Sequence, residues 1–553
     1  MPDIPHAAVL LTVLLGGCAS VRPGTSPSSR VPPPEGLVIL APAPSLPREV
    51  AALSGRWEGV SNDGLEVALT VLEVEADHAK VRVESRASPA LKLLPHRYTA
   101  RVQVLTGERL GLEWRMGEQS LLAVAMGPDG QSLEGEHELG RTRARVRLTR
   151  REAATVREVR PFTCASVAEV LAEQRAEARR ARVEALLERA RKEGTPLVEP
   201  GSRAGFGCAT FLYQGEAREV SLAGDMNGWD TVIDELTRIE GTDVHFLSRE
   251  FEQDARLDYK LVVDGQEWVL DPNNARTMTG GYGPNSHFWM PGYVAPPEVE
   301  LHEQMAHGTV ESFELASKHE GRSRTVSVYL PPGYASSSES YPVLYLNDGK
   351  DALELGRVDR VMDWLAHEGT VPGVIVVLVP PVDRGKEYAL DEVFESLFVE
   401  EVVPAIDERY RTRREAAYRA IGGISMGGSA ALSLALRYPE VFGRCVAQSS
   451  GGPDENAYAV LERIRQGPKQ GVSFYLDVGT YESNLHGTDL LDYSRSLRDA
   501  LSARGEELEY QEVHEGHSWG NWRARLDDVL RLFWGRKPLP QEGEPRGSAP
   551  SQR

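Results

Sequence analysis

Cysteine is scarce in this sequence, with four residues in 553, and none of them stands in a CxxC pair or in a Cys/His cluster with zinc spacing. That scarcity excludes a small scaffold held by disulfides and gives no sign of a structural metal site. Positive charge is also in the minority, because 62 Lys and Arg face 82 Asp and Glu and the formal net charge is −20. No basic block could follow a phosphate backbone, so we expect no nucleic-acid partner.

Apolar runs long enough to span a bilayer are lacking as well. The run AAVLLTVLLGG at residues 7–17 has the length of the apolar part of a signal peptide. It ends in Leu15-Gly16-Gly17-Cys18, which resembles the bacterial lipobox, where the cysteine thiol takes a lipid and becomes the mature N-terminus. We predict a signal peptide at residues 1–17, lipidation of Cys18, and export to the bacterial cell envelope, at the outer membrane, with the lipid as the sole membrane contact.

That signal departs from the usual pattern in one respect, since its first residues, MPDIPH, carry no Lys or Arg. Ordinary secretion and a buried helix therefore stay open as alternatives. The Pro- and Ser-rich stretch at residues 18–48 cannot bury enough apolar surface to fold and predicts an extended linker. Residues 538–553 predict a disordered tail.

The composition is typical of a globular protein, with 41% hydrophobic and 26% charged residues and a mean hydropathy of −0.35. The length of 553 residues is sufficient for several domains. Residues 49–151 alternate apolar and polar residues over short runs such as LEVALTVLEV and RARVRLTR, which predicts a β-rich, barrel-like domain. Its opening GRWEG resembles the start of lipocalin-like barrels, and we expect Trp57 to be a core residue.

Residues 160–196 are rich in Ala, Glu and Arg and predict a connecting helix. Cys164 and Cys208 flank it, either paired or as two buried thiols.

Residues 203–294 change to short strands with Gly, Asn and Asp turns. The stretches VSLAGDMNGWD and LDYKLVVDGQEWVLDPNN resemble the immunoglobulin-like glycogen-binding module. The resemblance implies that an aromatic platform and polar groups could hold a glycan, because an indole stacks on a pyranose while amide and ammonium groups bond its hydroxyls. The matching residues are Trp229, Lys260, Trp268 and Asn285. The alternative, which we favour, is that both tryptophans pack against the neighbouring domain.

Residues 304–537 alternate strand runs such as TVSVYL, PVLYLN and GVIVVLV with helical stretches, which predicts a mostly parallel sheet in an α/β fold. One run continues into Gly423-Ile424-Ser425-Met426-Gly427 and then a helical stretch. A serine on a sharp strand-to-helix turn presents its hydroxyl above the sheet, and the helix N-terminus then faces a developing oxyanion. We therefore predict Ser425 as a catalytic nucleophile.

The order serine, acid, histidine of such hydrolases places the base near the end of the chain. His517 stands in EGHSWGNW, a Gly-rich loop after the last strand, and is the predicted base. His514 is more plausible as a packing or rim residue, and His486 has no comparable sequence context.

The acid should follow the strand VSFYLDVG. Glu482, in the next loop, is the predicted acid, and Asp489 is its main competitor. Asp477 is more plausible as a structural carboxylate at the strand end.

Taken together, the words VSVYLPPGY, PVLYLNDGKD, FVEEVVPAID, GGISMGGSAAL, GTYE and EGHSWGNW resemble the esterase D-type family of α/β-hydrolases, which includes enterochelin, feruloyl and acetyl-xylan esterases and the antigen 85 mycolyltransferases. The resemblance implies that backbone amides of Met426 and Lys350 bind the oxyanion, with Gly349 shaping the turn. It also implies a role for Arg384 and Glu387, either holding a substrate anion or, as we favour, pairing to brace a loop.

These observations predict a multidomain serine carboxylesterase at the cell envelope that needs no metal or organic cofactor. Its partners would be an ester substrate, such as a siderophore or polysaccharide ester, and a glycan. Two other functions stay open: an acyltransferase using the same residues, and a catalytically inert lipoprotein that binds glycan or envelope components.

Overall fold

The computed structural model describes residues 39–535, except 108, 117–118, 140–141, 153–161, 282 and 486–487. The predicted signal peptide, Cys18, residues 18–38 of the predicted linker and the predicted tail lie outside these residues. Residues 39–48, which we predicted to belong to the linker, already pack on the first domain. Ile39 is buried, and the Leu40 amide donates to the Leu72 carbonyl at 2.7 Å.

The first domain is a closed antiparallel barrel of eight strands, in which each strand pairs with the next and the last pairs with the first. A short helix α1 (Arg48–Ala51) precedes the strands β1 (Gly55–Ser61), β2 (Glu66–Val74), β3 (His78–Ser85), β4 (His96–Thr106), β5 (Leu110–Met116), β6 (Gln119–Met126), β7 (Ser132–Leu139) and β8 (Thr142–Glu152). Alternate side chains point inward and form an apolar core in which Trp57 is fully buried. The predicted barrel and the core position of Trp57 are confirmed.

Two helices, not the single predicted one, follow the barrel: α2 (Ala165–Ala172) and α3 (Ala176–Glu193). The chain is extended at Glu173 and Arg175, and the Arg175 amide donates to the Glu173 carboxylate at 3.0 Å, which separates the helices. Their apolar residues pack on the next domain rather than forming a free connector. Cys164 and Cys208 form a disulfide with a Cα–Cα distance of 5.7 Å.

The second domain consists of two antiparallel sheets. Its strands are β9 (Leu197–Pro200), β10 (Phe206–Gln214), β11 (Val220–Gly224), β12 (Asp234–Glu235), β13 (Thr237–Arg238), β14 (Val244–Glu252), β15 (Arg256–Val263), β16 (Glu267–Val269), β17 (Thr277–Gly280) and β18 (Gly283–Trp289). One sheet has the order β13-β14-β10-β9 and the other β12-β11-β15-β18-β17, with β16 on β15. The core is rich in aromatic rings that meet edge to face, among them Phe211, Tyr259 and Phe288.

The third domain is built on a sheet of eight strands in the order β19-β20-β22-β21-β23-β24-β25-β26. These are β19 (Thr309–Ser317), β20 (Arg322–Leu330), β21 (Val343–Asn347), β22 (Ile375–Val379), β23 (Arg419–Ile424), β24 (Arg444–Gln448), β25 (Ser473–Gly479) and β26 (Glu507–Val513). β19 pairs with β20, and β20 with β22, in antiparallel orientation. The six strands β22, β21, β23, β24, β25 and β26 run parallel to one another. The predicted, mostly parallel sheet is therefore confirmed.

Helices cover both faces of this sheet and bury two apolar layers. They are α4 (Gly349–Glu354), α5 (Val358–Glu368), α6 (Arg384–Glu387), α7 (Glu392–Ser396), α8 (Val403–Arg409), α9 (Met426–Arg437), α10 (Asp454–Gln466), α11 (Leu490–Arg504), α12 (Trp519–Arg523) and α13 (Leu526–Trp534). The carboxyl ends of the parallel strands meet at one edge, where the loops carrying the candidate residues also meet. Among the described helices, none has the length and apolarity to cross a membrane.

Candidate active site

Ser425 lies alone between the end of β23 and the start of α9, with φ 52° and ψ −126°. A non-glycine residue adopts this conformation only under strain, which the surrounding structure must hold. The Ser425 amide donates to the Gln448 carbonyl of β24 at 3.0 Å. Gly423, two residues before Ser425, has no room for a side chain, because a Cβ there would lie 2.3 Å from the Gly427 carbonyl oxygen. The sequence therefore folds here into the strand-turn-helix that its pattern predicts.

The two backbone amides that we expected to bind an oxyanion lie in the first turns of helices. Met426 is the first residue of α9 and Lys350 the second residue of α4. Amides at these positions have no acceptor within their helix. The Lys350 ammonium extends to solvent, 4.0 Å from Glu354, so its side chain takes no part in this edge of the sheet. Gly349 has no room for a side chain, since a Cβ would lie 2.3 Å from the Leu378 carbonyl carbon.

Arg384 binds the loop that precedes α4. Its Nε and Nη2 donate to the two carboxylate oxygens of Asp348 at 2.9 and 3.1 Å, and the Asp348 amide donates to the Tyr388 hydroxyl at 2.8 Å. We expected Arg384 to pair with Glu387 instead. Glu387 is buried and accepts from Arg324 Nη1 at 3.0 Å, because the chain turns at α6 and directs the two side chains to different strands.

His517 and Glu482 are in direct contact, with 2.7 Å between His517 Nδ1 and Glu482 Oε2. Glu482 ends a 3₁₀ turn at Thr480–Glu482, directly after β25, and its side chain is fully buried. Its other oxygen accepts from the Ser449 hydroxyl at 2.7 Å and the Gly479 amide at 2.8 Å. With Nδ1 donating to the carboxylate, Nε2 of His517 is the ring nitrogen able to accept a proton.

Ser449 and Trp522 belong to this site, and our sequence analysis assigned neither of them a role. The Trp522 indole N–H donates to the Ser449 hydroxyl at 2.8 Å, and its ring meets the edge of the His517 ring at a centroid distance of 4.9 Å. Ser449 follows Gln448, the residue that binds the Ser425 amide, so hydrogen bonds link the serine turn to the carboxylate. Their positions in the sequence could have indicated a role, because Ser449 directly follows a parallel strand and Trp522 lies in the helix that follows His517.

The competing acids have other surroundings. Asp489 caps α11 by accepting from the Asp492 amide at 2.9 Å, and burial raises its pKa. Asp477 is fully buried at the end of β25, accepts from Gln448 Nε2 at 2.8 Å, and has a pKa raised by burial to about 6. Neither is the carboxylate that contacts His517.

The sequence analysis also considered two other histidines, His514 and His486. His514 Nδ1 lies 2.7 Å from the Asp254 carboxylate of the second domain. His486 lies outside the described residues.

The candidate glycan-binding residues lie on one sheet of the second domain or beside it. Lys260 lies on β15 and Asn285 on the neighbouring strand β18, while Trp268 on β16 pairs with Val262. Trp268 is 45% exposed, whereas the half-buried Trp229 donates its indole N–H to Asp225 at 3.1 Å. The packing that we favoured for both tryptophans is therefore not found at the exposed Trp268, and glycan binding stays a prediction.

The third domain is similar to known esterases. Residues 317–533 match the family model described as "Putative esterase". The endo-1,4-beta-xylanase/feruloyl esterase of Xylanibacter ruminicola is 30% identical over 296 residues, which cover 50% of this chain and 38% of that protein. The iron(III) enterobactin esterase of Escherichia coli K12 is 24% identical over 286 residues, covering 48% of this chain and 67% of that protein.

A solved structure extends the likeness to the fold of a larger region. The crystal structure of ferric enterobactin esterase from Salmonella typhimurium superposes with a TM-score of 0.54 and 20% identity, covering 64% of this chain and 98% of that one. Coverage of that breadth exceeds the third domain alone. With the esterase model on residues 317–533 and esterases among its sequence relatives, the C-terminal region of this chain is that of a carboxylic-ester hydrolase.

Proposed function

We propose that this chain is a serine esterase in which Ser425 is the nucleophile, His517 the general base and Glu482 the carboxylate that orients the base. The observation that carries the proposal is the backbone of Ser425, held at φ 52° and ψ −126° between a central strand and a buried helix. Strain of this kind is typical of functional sites, because nothing in the packing of a strand or helix requires it. The contact between His517 and Glu482 supports the same roles.

In the proposed reaction His517 Nε2 takes the proton of the Ser425 hydroxyl while the oxygen attacks the ester carbonyl carbon. The amides of Met426 and Lys350 stabilise the oxyanion of the tetrahedral intermediate, which collapses as His517 protonates the departing alcohol. Water, activated by the same imidazole, then attacks the acyl-enzyme and releases the acid. Glu482 stabilises the imidazolium in both halves of the reaction.

Burial makes the carboxylate effective in this role. Glu482 is removed from water, so its interaction with an imidazolium at 2.7 Å is weakly screened. The Ser449 hydroxyl and the Gly479 amide satisfy its second oxygen and leave the first for His517. The indole of Trp522 fixes the hydroxyl in turn, so the whole group is held in one arrangement.

We expect the Ser425→Ala variant to fold normally and to lose ester hydrolysis by about 10³-fold or more, as removal of a triad nucleophile does elsewhere. The measurement is the rate of p-nitrophenyl ester hydrolysis, with fluorophosphonate labelling of wild type as a parallel test of Ser425 reactivity. An unlabelled wild-type serine, or a variant rate within tenfold of wild type, would reject the nucleophile and favour an inert binding protein.

The substrate we propose is a feruloyl ester or a siderophore ester such as enterobactin, on the basis of the names of the relatives at 30% and 24% identity. The test is a panel of a feruloylated oligosaccharide, enterobactin, an acetylated xylan and p-nitrophenyl acetate, each with wild type and Ser425→Ala. Hydrolysis of acetylated xylan alone would reject both proposed classes. Adding an alcohol acceptor and analysing the products separates hydrolysis from acyl transfer.

For the location we propose export and anchoring through a lipid on Cys18. The support is the Leu15-Gly16-Gly17-Cys18 motif, together with the disulfide between Cys164 and Cys208, which suits an oxidising compartment. Incorporation of labelled fatty acid into wild type and its loss in Cys18→Ala would agree with this proposal. A wild-type protein without lipid would contradict it.

A further inference from the structure

The loop that carries His517 rests on an arginine of a different domain. The backbone amide of Arg256, the first residue of β15, donates to the His514 carbonyl at 3.1 Å, and its Nη1 donates to the Ser518 hydroxyl at 3.1 Å. The guanidinium also lies against Gly520, where a Cβ would come within 2.3 Å of the Arg256 Cζ. Arg256 therefore contacts the loop both before and after His517.

Charge and burial make this contact specific. Arg256 is 3% exposed, and its Nη2 lies 2.8 Å from the Asp258 carboxylate while its Nη1 lies 4.0 Å from Glu515. These two carboxylates raise the pKa of the guanidinium, although burial acts in the opposite direction. Glu515 is itself part of the histidine loop. Loss of Arg256 would thus leave the buried Asp258 without this counter-charge, whereas Glu515, two residues from His517, would keep its contact with Arg525 at 2.8 Å.

The residue directly before His517 rests on the same domain. A Cβ on Gly516 would lie 2.0 Å from the Cγ of Asp225, so the backbone there packs closely on the Asp225 carboxyl group. Asp225 is held in turn by the Trp229 indole N–H at 3.1 Å and the Asp258 amide at 2.8 Å. The second domain therefore supports both sequence neighbours of His517.

The loop of Glu482 is held by the second domain as well. The hydroxyl of Tyr481, the residue before Glu482, donates to the Glu252 carboxylate at 2.5 Å, and its ring lies 6.2 Å from that of Phe251. Gly228 approaches the same loop so closely that a Cβ would lie 1.7 Å from the Asn484 carbonyl oxygen. The two loops also bind each other, since the Tyr481 amide donates to the Glu515 carbonyl at 3.3 Å.

We propose that Arg256 is a positioning residue of the esterase site, through which the second domain sets the contact between His517 and Glu482. The inference rests on the proposed function, because it matters only if these two residues act in catalysis. It assigns the second domain a task in the reaction in addition to any glycan binding. Displacement of catalytic groups by about an ångström can cost about a hundredfold in rate, so a remote arginine can control turnover in this way.

The test compares three variants in the full chain: Arg256→Gln, Arg256→Lys, and Arg189→Gln as the matched control. Arg189 lies on α3 and also contacts two carboxylates, Glu193 at 2.9 Å and Glu199 at 2.7 Å, although its side chain is 32% exposed. We expect Arg256→Gln to lower kcat and the rate of fluorophosphonate labelling about tenfold to a hundredfold, with KM for a small p-nitrophenyl ester within about threefold. Arg256→Lys should recover part of kcat, and Arg189→Gln should stay within about twofold of wild type.

The pH profile of kcat/KM separates positioning from general destabilisation. The acidic limb of the Arg256→Gln profile should move, because the imidazole contact with Glu482 loosens and a nearby positive charge is lost. A variant that is simply less stable keeps the wild-type profile among its folded molecules. An Arg256→Gln protein that folds with wild-type kcat and an unmoved profile would overturn the proposal.

Two milder variants keep the proposal falsifiable if Arg256→Gln does not fold. Ser518→Ala removes the acceptor of Arg256 Nη1, and Tyr481→Phe removes the hydrogen bond to Glu252. Each should lower kcat about threefold to tenfold, and wild-type kcat in both would overturn the proposal. Ser425→Ala is measured alongside: a fully active Ser425→Ala rejects the esterase mechanism itself, whereas an inactive one with normal Arg256 variants rejects only the positioning role.

Discussion

At the scale of single residues, the two carboxylates that we considered for the acid role differ in what they contact. Glu482 faces the His517 ring, whereas Asp489 accepts the backbone amide of Asp492 at the start of α11. In the proposed mechanism a negative charge therefore matters at Glu482, because it would stabilise an imidazolium. At Asp489 a neutral acceptor of the same shape can still cap the helix.

The first prediction compares Glu482→Gln with Asp489→Asn. Glu482→Gln should lower kcat by about 10²-fold or more, because the amide keeps the shape but loses the charge. Asp489→Asn should stay within about twofold of wild type, because asparagine caps helices as well as aspartate does. Ester hydrolysis under saturating substrate is the measurement. The reverse ranking would move the acid role to Asp489, and two mild effects would indicate a Ser/His dyad.

The second prediction concerns Arg384, which braces Asp348 at the turn before α4. Arg384→Gln should lower kcat about tenfold, with KM for a neutral ester nearly unchanged, because the turn that presents the Lys350 amide loses its support. The measurement is kcat and KM for a neutral ester and for one that carries a carboxylate. A selective rise in KM for the charged ester, with kcat unchanged, would instead mean that Arg384 binds substrate.

At the scale of elements, β18 carries a histidine into the charged interior of the second domain. His287 is 9% exposed, and burial together with Arg256 and Arg276 lowers its pKa from 6.5 to about 3. The unfolded chain therefore binds a proton between these pH values and the folded one does not, so acidification favours unfolding. Asp225 affects stability in the opposite direction. Burial and the nearby Asp258 raise its pKa to about 8, so its protonation favours the folded state.

The third prediction concerns the loss of stability on acidification that His287 causes. Between about pH 7 and about pH 5, wild type should lose about 1 to 2 kcal/mol more of its unfolding free energy than His287→Gln does. The Asp225 contribution is common to both proteins and largely cancels in the comparison. Urea unfolding at a series of pH values is the measurement, and parallel curves for the two proteins would contradict the predicted neutral state of His287.

At the scale of the whole molecule, the barrel is tied to the hydrolase domain through the loop between β3 and β4. Leu94 is 3% exposed and belongs to the same apolar layer as residues of the hydrolase sheet. His96 forms a β-bridge with Thr488, and the Asp489 amide donates to the Pro95 carbonyl at 3.5 Å. The barrel therefore reaches the segment that follows the Glu482 loop.

The fourth prediction tests this link with Leu94→Ala. The free energy of unfolding should fall by about 2 to 5 kcal/mol, as for other leucines removed from a packed core. Leu532→Ala is the matched control, because this leucine is 41% exposed and its truncation should cost less than about 0.5 kcal/mol. Thermal or urea unfolding of the full chain is the measurement. Equal effects of the two changes would show that the barrel loop does not contribute to the hydrolase core.

Local pattern was sufficient to predict the main features of the fold. Alternation of apolar residues predicted the barrel strands, and the strand run before Gly423 with the helical run after Gly427 predicted the turn at Ser425. Such features depend on neighbours within about ten residues, whose periodicity the sequence displays directly. The break between α2 and α3 was missed, because Glu173 and Arg175 read as good helix formers while their side-chain and backbone bonds end the helix.

The sequence by itself determined which side chains stand at the ends of the parallel strands, and hence Ser425, Glu482 and His517 as candidates. Tertiary structure alone decided their surroundings: Ser449 and Trp522 around Glu482, Asp348 as the partner of Arg384, and Arg256 beneath the His517 loop. The Arg256 and Ser518 side chains are 262 positions apart in the chain. A contact of that range depends on how finished domains pack on one another, and no periodicity along the sequence records it.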